Sequence, residues 1–228
     1  MEAVTLSLSG LGTILAVIVN ISPISSLLKA NKTKSLEEIS HLYLLLANCN
    51  TTAWVIYSLK ASKFPILVPN SLNFILSLGF LAWYHKIAED ALKFLTGYFL
   101  TVGSAVAVGY GLIPIDKLGI ACVVVNFLGF AAPLEQVKPL LAEKDPRYLD
   151  MNVVGACFGC SFVWGVYGIL AKNIFVITPN IAGFVICLLL TLMNAWARNW
   201  LPHFVFGGFV KLVGKFEKEE LPLKGKPN

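Results

Sequence analysis

Residues 54–70 read WVIYSLKASKFPILVPN, and residues 164–180 read WGVYGILAKNIFVITPN. Trp54, Tyr57, Ala61, Pro69 and Asn70 recur as Trp164, Tyr167, Ala171, Pro179 and Asn180, always 110 positions further on. Pro23 recurs in the same register as Pro133, and Lys34 as Lys144. So many matches without a gap mark an internal duplication, which has to be found before any fold is assigned. The telling pair is Pro-Asn inside an apolar run. Proline withdraws a backbone donor, so the carbonyl of Pro65 in one copy and of Phe175 in the other loses its usual partner. The asparagine then sets an amide, both donor and acceptor, beside that opening. In hydrocarbon such a site is costly unless it faces protein, water or a ligand.

The chain is 57% hydrophobic and 14% charged, with a mean hydropathy of +0.73. A soluble domain is about half apolar and a quarter charged. A larger soluble core would raise the first figure without removing so many charges, so the composition points to a polytopic membrane protein. Seven apolar segments of about spanning length can be drawn: 5–28, 40–59, 64–84, 92–113, 118–141, 149–171 and 174–197. The duplication relates the first three to the last three. Four segments, an even number, separate the starts of the two copies, so both copies enter the membrane in the same direction. The expected fold is an all-α membrane protein whose seven transmembrane helices form two parallel three-helix bundles joined by an inversion helix, 3+1+3. The divisions are 5–84 for the first repeat, 92–113 for the linker helix, 118–197 for the second repeat and 201–228 for a cytosolic tail. In the tail, Phe204, Phe206 and Phe209 precede Lys211, Lys215 and Lys218. Its first half reads either as an amphipathic helix on the membrane surface or as a solvated segment, and its remainder as disordered.

Of the lysines and arginines, only Lys60, Lys63, Lys117 and Lys172 fall on the side opposite the tail. The positive-inside rule then puts the C-terminus in the cytosol and the N-terminus outside. The N-terminus lacks a basic n-region and a convincing cleavage site, so the first segment reads as a membrane helix rather than a removable signal. Trp83, Tyr84, Trp196 and Trp200 fall near the cytosolic interface, where they either anchor or pack.

Trp54 and Trp164 sit mid-segment, where an indole can stack on the C–H face of a pyranose and donate its N–H. Asn70 and Asn180 supply facing amides for sugar hydroxyls. As a matched quartet these read as a binding site. Packing indoles and helix-bridging amides would be the blander account. Near Trp54, Asn48, Asn50, Thr51 and Thr52 form a polar patch, with Asn50 one turn before the indole. Asn50 has Cys160 as its counterpart, a difference that can set ligand size. Asn73 and Thr52 complete the candidate substrate-binding set, although helix–helix bonding fits Asn73 as well. Pro23 and Pro133 read as hinges or static kinks, and Pro69 and Pro179 as weakened turns near the site. Cys157 and Cys160 form a lone CxxC, read as small residues at a helix contact rather than a metal site.

Nothing charged stands mid-span, with Glu135 and Asp150 near the cytosolic boundary, so proton or sodium coupling is not expected. His41, His85 and His203 are scattered at span ends or in the tail. No nucleophile grouping, phosphate loop or metal cluster emerges, so the chain is not read as an enzyme, and no cofactor is expected. No basic run interleaved with aromatics suggests nucleic acid.

The chain resembles the SWEET sugar transporters within the PQ-loop superfamily, over residues 10–197. In the first copy the likeness rests on Ser22-Pro23, Asn31-Lys32-Thr33-Lys34-Ser35, Leu45-Leu46, Asn48-Cys49, Ala53-Trp54 and Pro69-Asn70. In the second it rests on Ala132-Pro133, Val163-Trp164, Gly165-Val166-Tyr167-Gly168, Phe175-Val176, Thr178-Pro179-Asn180 and Gly183. The resemblance implies facilitated, bidirectional sugar diffusion by alternating access, with Trp54, Asn70, Trp164 and Asn180 lining the pocket. It also implies that Asn50 and Cys160 influence the choice of mono- or disaccharide. Of the family's four hinge prolines only Pro23 and Pro133 are present, and His41 to Tyr43 and Leu149 to Asn152 stand near the places of the other two. This marks a divergent member. Two other functions fit the scaffold: an amino-acid exporter, against which Ser22-Pro23 and Ala132-Pro133 stand in place of Pro-Gln pairs, and a non-transporting sorting receptor, which would carry a charged cavity. A seven-helix signalling receptor has no place for the duplication. The implied partners are sugar and lipid bilayer, in a plasma membrane or in Golgi or vacuole, with room left for a homo-oligomer.

Overall fold

The computed structural model describes residues 2–36, 39–130, 134, 136–202 and 204–208. Nine α-helices are defined among them: α1 Glu2–Asn20, α2 Ile24–Thr33, α3 His41–Lys60, α4 Phe64–Ile87, α5 Ala91–Gly111, α6 Ile115–Gly129, α7 Val137–Glu143, α8 Met151–Leu170 and α9 Ile174–Ala197. They form the seven spans of a 3+1+3 architecture. The first span is the bent pair α1 and α2, broken at residues 21–23, with Pro23 opening α2. The fifth combines α6 and α7. Its expected hinge, Pro133, and Glu135 lie outside the described residues.

Four described stretches are long and apolar enough to cross a membrane on their own: Ala3–Thr33, Phe64–Ile87, Met151–Leu170 and Ile174–Ala197. α3 is long enough but carries Asn48, Asn50, Thr51 and Thr52, and α6 has only 15 residues. Many large apolar side chains face outward, among them Phe64, Ile75, Leu92 and Ile174. Outward apolar surface on backbone-satisfied helices is what a lipid solvent selects.

α4 packs against α1, α2 and α3, and its counterpart α9 packs against α6, α7 and α8. Between the halves, α1 packs on α8 and α6 on α3, the exchange expected of two like-oriented copies. α5 leans on α3 and α4. A buried polar network fixes it there. Asn48 donates to Ser77 Oγ at 2.8 Å, and the Tyr98 hydroxyl donates to Asn48 Oδ1. In the second repeat Phe158 and Cys187 occupy the positions of Asn48 and Ser77, and Phe158 packs on Phe184 at 4.4 Å.

The duplication extends to the backbone. All six described non-glycine residues with positive φ form three pairs in the repeat register: Lys34 with Lys144, Ser62 with Lys172, and Glu89 with Asn199. Left-handed residues end helices by turning the chain away from the last carbonyls, a place usually taken by glycine. The helix starts repeat as well. Ser40 caps α3 by accepting from Tyr43 N, and Asp150 caps α8 by accepting from Asn152 N at 2.9 Å.

The core has three parts. One fills the first bundle around Leu27, Leu44 and Leu81, and one fills the second around Leu140, Leu141 and Leu190. Trp196 belongs to the second part and packs on Phe206 at 6.0 Å. Trp196 is therefore a packing residue, and Phe206 turns inward instead of toward a membrane surface. Trp200, by contrast, is exposed. The third part bridges the two halves through Trp54, Tyr57, Cys122, Trp164, Tyr167 and Val176.

Candidate functional site

A cavity of about 560 Å³ lies between the halves. The bridging core closes one end of it, and exposed Gln136 and Asp150 lie at the other, so it opens toward the end carrying α2 and α7. Trp54, Asn70, Trp164 and Asn180, expected from the sequence to share a pocket, all line it. So do Asn50, Asn73 and Cys160. Thr52 does not. Its hydroxyl donates to the Asn48 carbonyl at 2.8 Å, and the neighbouring Thr51 is the threonine on the wall. The physical cause is helical rotation: one residue turns the side chain by about 100°.

The two copies build matching parts. Trp54 meets Tyr57 edge-to-face at 5.6 Å, and Trp164 meets Tyr167 likewise at 5.2 Å. Asn70 Nδ2 donates to the Ile66 carbonyl at 2.8 Å, and Asn180 Nδ2 to the Val176 carbonyl at 2.8 Å. Each amide thus bonds back one helical turn, to the carbonyl next to the one its proline orphaned. With one N–H engaged, each carboxamide keeps its oxygen as an acceptor and its second N–H as a donor for ligand hydroxyls. Pro69 and Pro179 are buried within continuous helices.

Two close approaches hold the aromatic parts. A methyl group at Gly12 of α1 would come within 2.8 Å of the Trp164 ring, so α1 lies flat against that indole only because Gly12 has no side chain. Gly119 of α6 stands in the same relation to Phe175, at 2.5 Å.

The closed end is tied by a pair that breaks the repeat. Tyr57 of α3 and Asn173, the N-cap of α9, meet across the halves, with Asn173 Nδ2 donating to the Tyr57 hydroxyl at 3.0 Å. The position matching Asn173 in the first copy is Lys63. Lys60 beside it donates to the carbonyls of Tyr110 and Ile113, at 2.9 and 2.5 Å, satisfying the end of α5.

Sequence reading missed three features. Asn20 and Asn126 also line the cavity, and an asparagine in an apolar helix was a signal that could have found them. Tyr148 and Asp150 form part of its mouth. His41 and His85, read as scattered, lie together, with their Nε2 atoms 3.0 Å apart and His85 Nδ1 2.7 Å from Asp90. With Asp90 accepting from His85 Nδ1, the His85 Nε2 atom shares one proton with His41 Nε2. The chain Asp90–His85–His41 therefore joins α3, α4 and the start of α5. Cys157, Cys160 and Cys187 all line the cavity as free thiols. Among the described residues no group of three or more His, Cys, Asp or Glu could hold a metal. Outside the spans, Arg147 beside Asp145 holds that carboxyl below the usual carboxylate range.

Two parallel three-helix repeats enclosing an amide-lined cavity, closed at one end and with Asp150 at its mouth, define a transporter for polar solutes. The comparisons agree with that class. Residues 6–91 and 116–196 match the family model for sugar efflux transporters for intercellular exchange. The bidirectional sugar transporter N3 of Medicago truncatula is 28% identical over 200 residues, covering 83% of this chain and 75% of that protein. The bidirectional sugar transporter SWEET15 of Oryza sativa subsp. indica is 25% identical over 186 residues, covering 77% of this chain and 58% of that longer protein. A eukaryotic SWEET transporter solved at 3.7 Å has the same fold, with a TM-score of 0.78 at 17% identity, covering 87% of this chain and 98% of that one. The chain belongs to the SWEET family of sugar transporters.

Proposed function

We propose that this protein carries a mono- or disaccharide down its concentration gradient, in either direction, by alternating access of the central cavity. One observation carries the reading: the matched Trp54, Asn70, Trp164 and Asn180 converge on a cavity between the two halves. The indoles offer apolar faces for a sugar ring, and the amide oxygens accept from its hydroxyls. Among the described residues lining the cavity the one carboxylate is Asp150, which is engaged at the mouth as the cap of α8. A coupled carrier usually keeps an ionisable group at mid-depth. The balance of lysine and arginine supports a cytosolic C-terminus, so the open end faces the cytosol. The plasma membrane is the proposed location.

The test is flux of radiolabelled glucose and sucrose into proteoliposomes, with and without a pH gradient. Uptake of at least one sugar, unaffected by the gradient, is expected. Asn180→Ala and Trp164→Ala should abolish uptake while the protein remains in the membrane. Unchanged flux in both variants defeats the site, and acceleration by the gradient defeats the uncoupled mechanism.

A further inference from the structure

The cavity is less symmetric than the repeat that builds it. Asn73 lines it from α4, one turn beyond Asn70, and is 4% exposed. Its Oδ1 is buried and accepts no hydrogen bond, and the same holds for Asn50 Oδ1 on α3. A buried polar group left unpaired costs about 1–3 kcal/mol, so two on one wall are a standing invitation to donors. Among the described residues the opposite wall offers no such pair. The counterparts of Asn50 and Asn73 are Cys160 and Gly183. A side chain at Gly183 would have to displace Ser161 Oγ, 2.6 Å from a Cβ there, and press on the Phe130 ring at 3.2 Å. The first repeat therefore presents acceptors where the second presents a thiol and packed backbone.

We infer that Asn73, with Asn50 beside it, forms an acceptor subsite that binds one hydroxyl edge of the sugar and holds the ligand in a single orientation, polar edge toward the first repeat. The inference rests on the sugar-transport reading and deepens it. Asn70 and Asn180 treat the two faces of the ligand alike, whereas Asn73 distinguishes them. Asn73 is thus a specificity-determining residue: its Oδ1 requires a donor at one ring position and gains nothing there from a group that only accepts.

Single-position deoxyfluoro-glucoses test this, because fluorine replaces a hydroxyl in size but cannot donate. Their competition against glucose uptake is measured in wild-type and Asn73→Ala proteoliposomes. In the wild type one analogue should bind roughly 5- to 30-fold more weakly than glucose. In Asn73→Ala the glucose affinity should fall until that analogue and glucose compete equally, while discrimination at the other ring positions stays. A purely structural asparagine would lower expression or affinity for every analogue alike and leave the ratios standing, which overturns the inference. Should Asn73→Ala fail to yield monodisperse protein, Asn73→Ser, which keeps a shorter acceptor, reads the same ratio and should show it reduced. Wild-type flux separates the two claims: no sugar flux rejects the transport reading, whereas flux with unchanged ratios in the variant rejects only the subsite.

Discussion

The Tyr57 hydroxyl and the Asn173 carboxamide, 116 residues apart in the chain, form a two-way hydrogen-bonded contact that ties α3 to the start of α9 at the closed end of the cavity. Asn173 also caps α9, its Oδ1 accepting from Phe175 N at 3.1 Å. The same side chain thus ends a turn and joins the halves. Any motion that opens this end must break the contact.

Tyr57→Phe removes the cross-contact and leaves the cap intact. A net hydrogen bond is worth about 0.5–1.5 kcal/mol, so the open population at this end should rise by up to roughly 10-fold. Spin labels placed at the exposed turn residues Ser62 and Lys172 read this directly, as growth of a longer-distance population. Asn173→Asp keeps both the cap and an acceptor for Tyr57, so it should leave the distances near wild type. Asn173→Ala loses both and should also lower thermal stability by about 1 kcal/mol.

Gly12→Ala should disturb Trp164 without touching the cavity's polar groups. The added methyl sits 2.8 Å from the indole, and overpacking of this kind costs about 1–3 kcal/mol. A changed tryptophan emission and a raised KM for sugar are expected. Gly10→Ala is the control, because nothing lies within 4 Å of a methyl there. It should leave both unchanged.

His85→Ala should destabilise the first bundle. The ring is buried, stacks on Phe94 at a centroid distance of 3.7 Å, and links His41 to Asp90. Losing the stack and both hydrogen bonds should cost about 1–3 kcal/mol, read as a lowered melting temperature of the purified protein. Asp90 is half-exposed, so Asp90→Asn should cost less than about 1 kcal/mol. Equal losses in the two variants would contradict the assigned network.

Asn48→Leu should loosen the linker helix. Tyr98 of α5 donates to that amide, and replacing it leaves this buried hydroxyl to find another acceptor, at about 1–3 kcal/mol, whereas Ser77 of α4 keeps its bond to the Phe74 carbonyl. Faster hydrogen exchange in α5 and at the α3–α4 contact is expected, with the second bundle unaffected because Phe158 takes this position there.

The architecture was legible in the sequence because its signals are local and linear. Apolar runs of spanning length dictate membrane helices wherever they fall, and a match repeated over 110 positions dictates a repeated unit whatever its packing. Pro-Asn after a Trp, met twice, was enough to place four side chains in one cavity. The polar patch before Trp54 was seen, but its division was not: Thr51 reaches the cavity, Thr52 does not, and Asn48 turns to the linker helix. Nearby helix positions differ by rotation, and an apolar stripe does not reveal rotation when both lipid and core are apolar. Likewise Trp196 read equally well as an interface anchor and as core, and only its contacts with Phe206 and Lys144 decide for packing.

The sequence by itself determined the seven spans, the like orientation of the two repeats and the identity of the paired indoles and amides. Those follow from hydropathy and from counting. The tertiary structure alone decided that Tyr57 meets Asn173, that Gly12 admits Trp164, that His41 meets His85 and that Asn73 is left with an unmet acceptor. Each depends on how far one bundle or helix is rotated against another. That rotation is set by side-chain packing summed over the whole interface, and no local pattern of residues carries it.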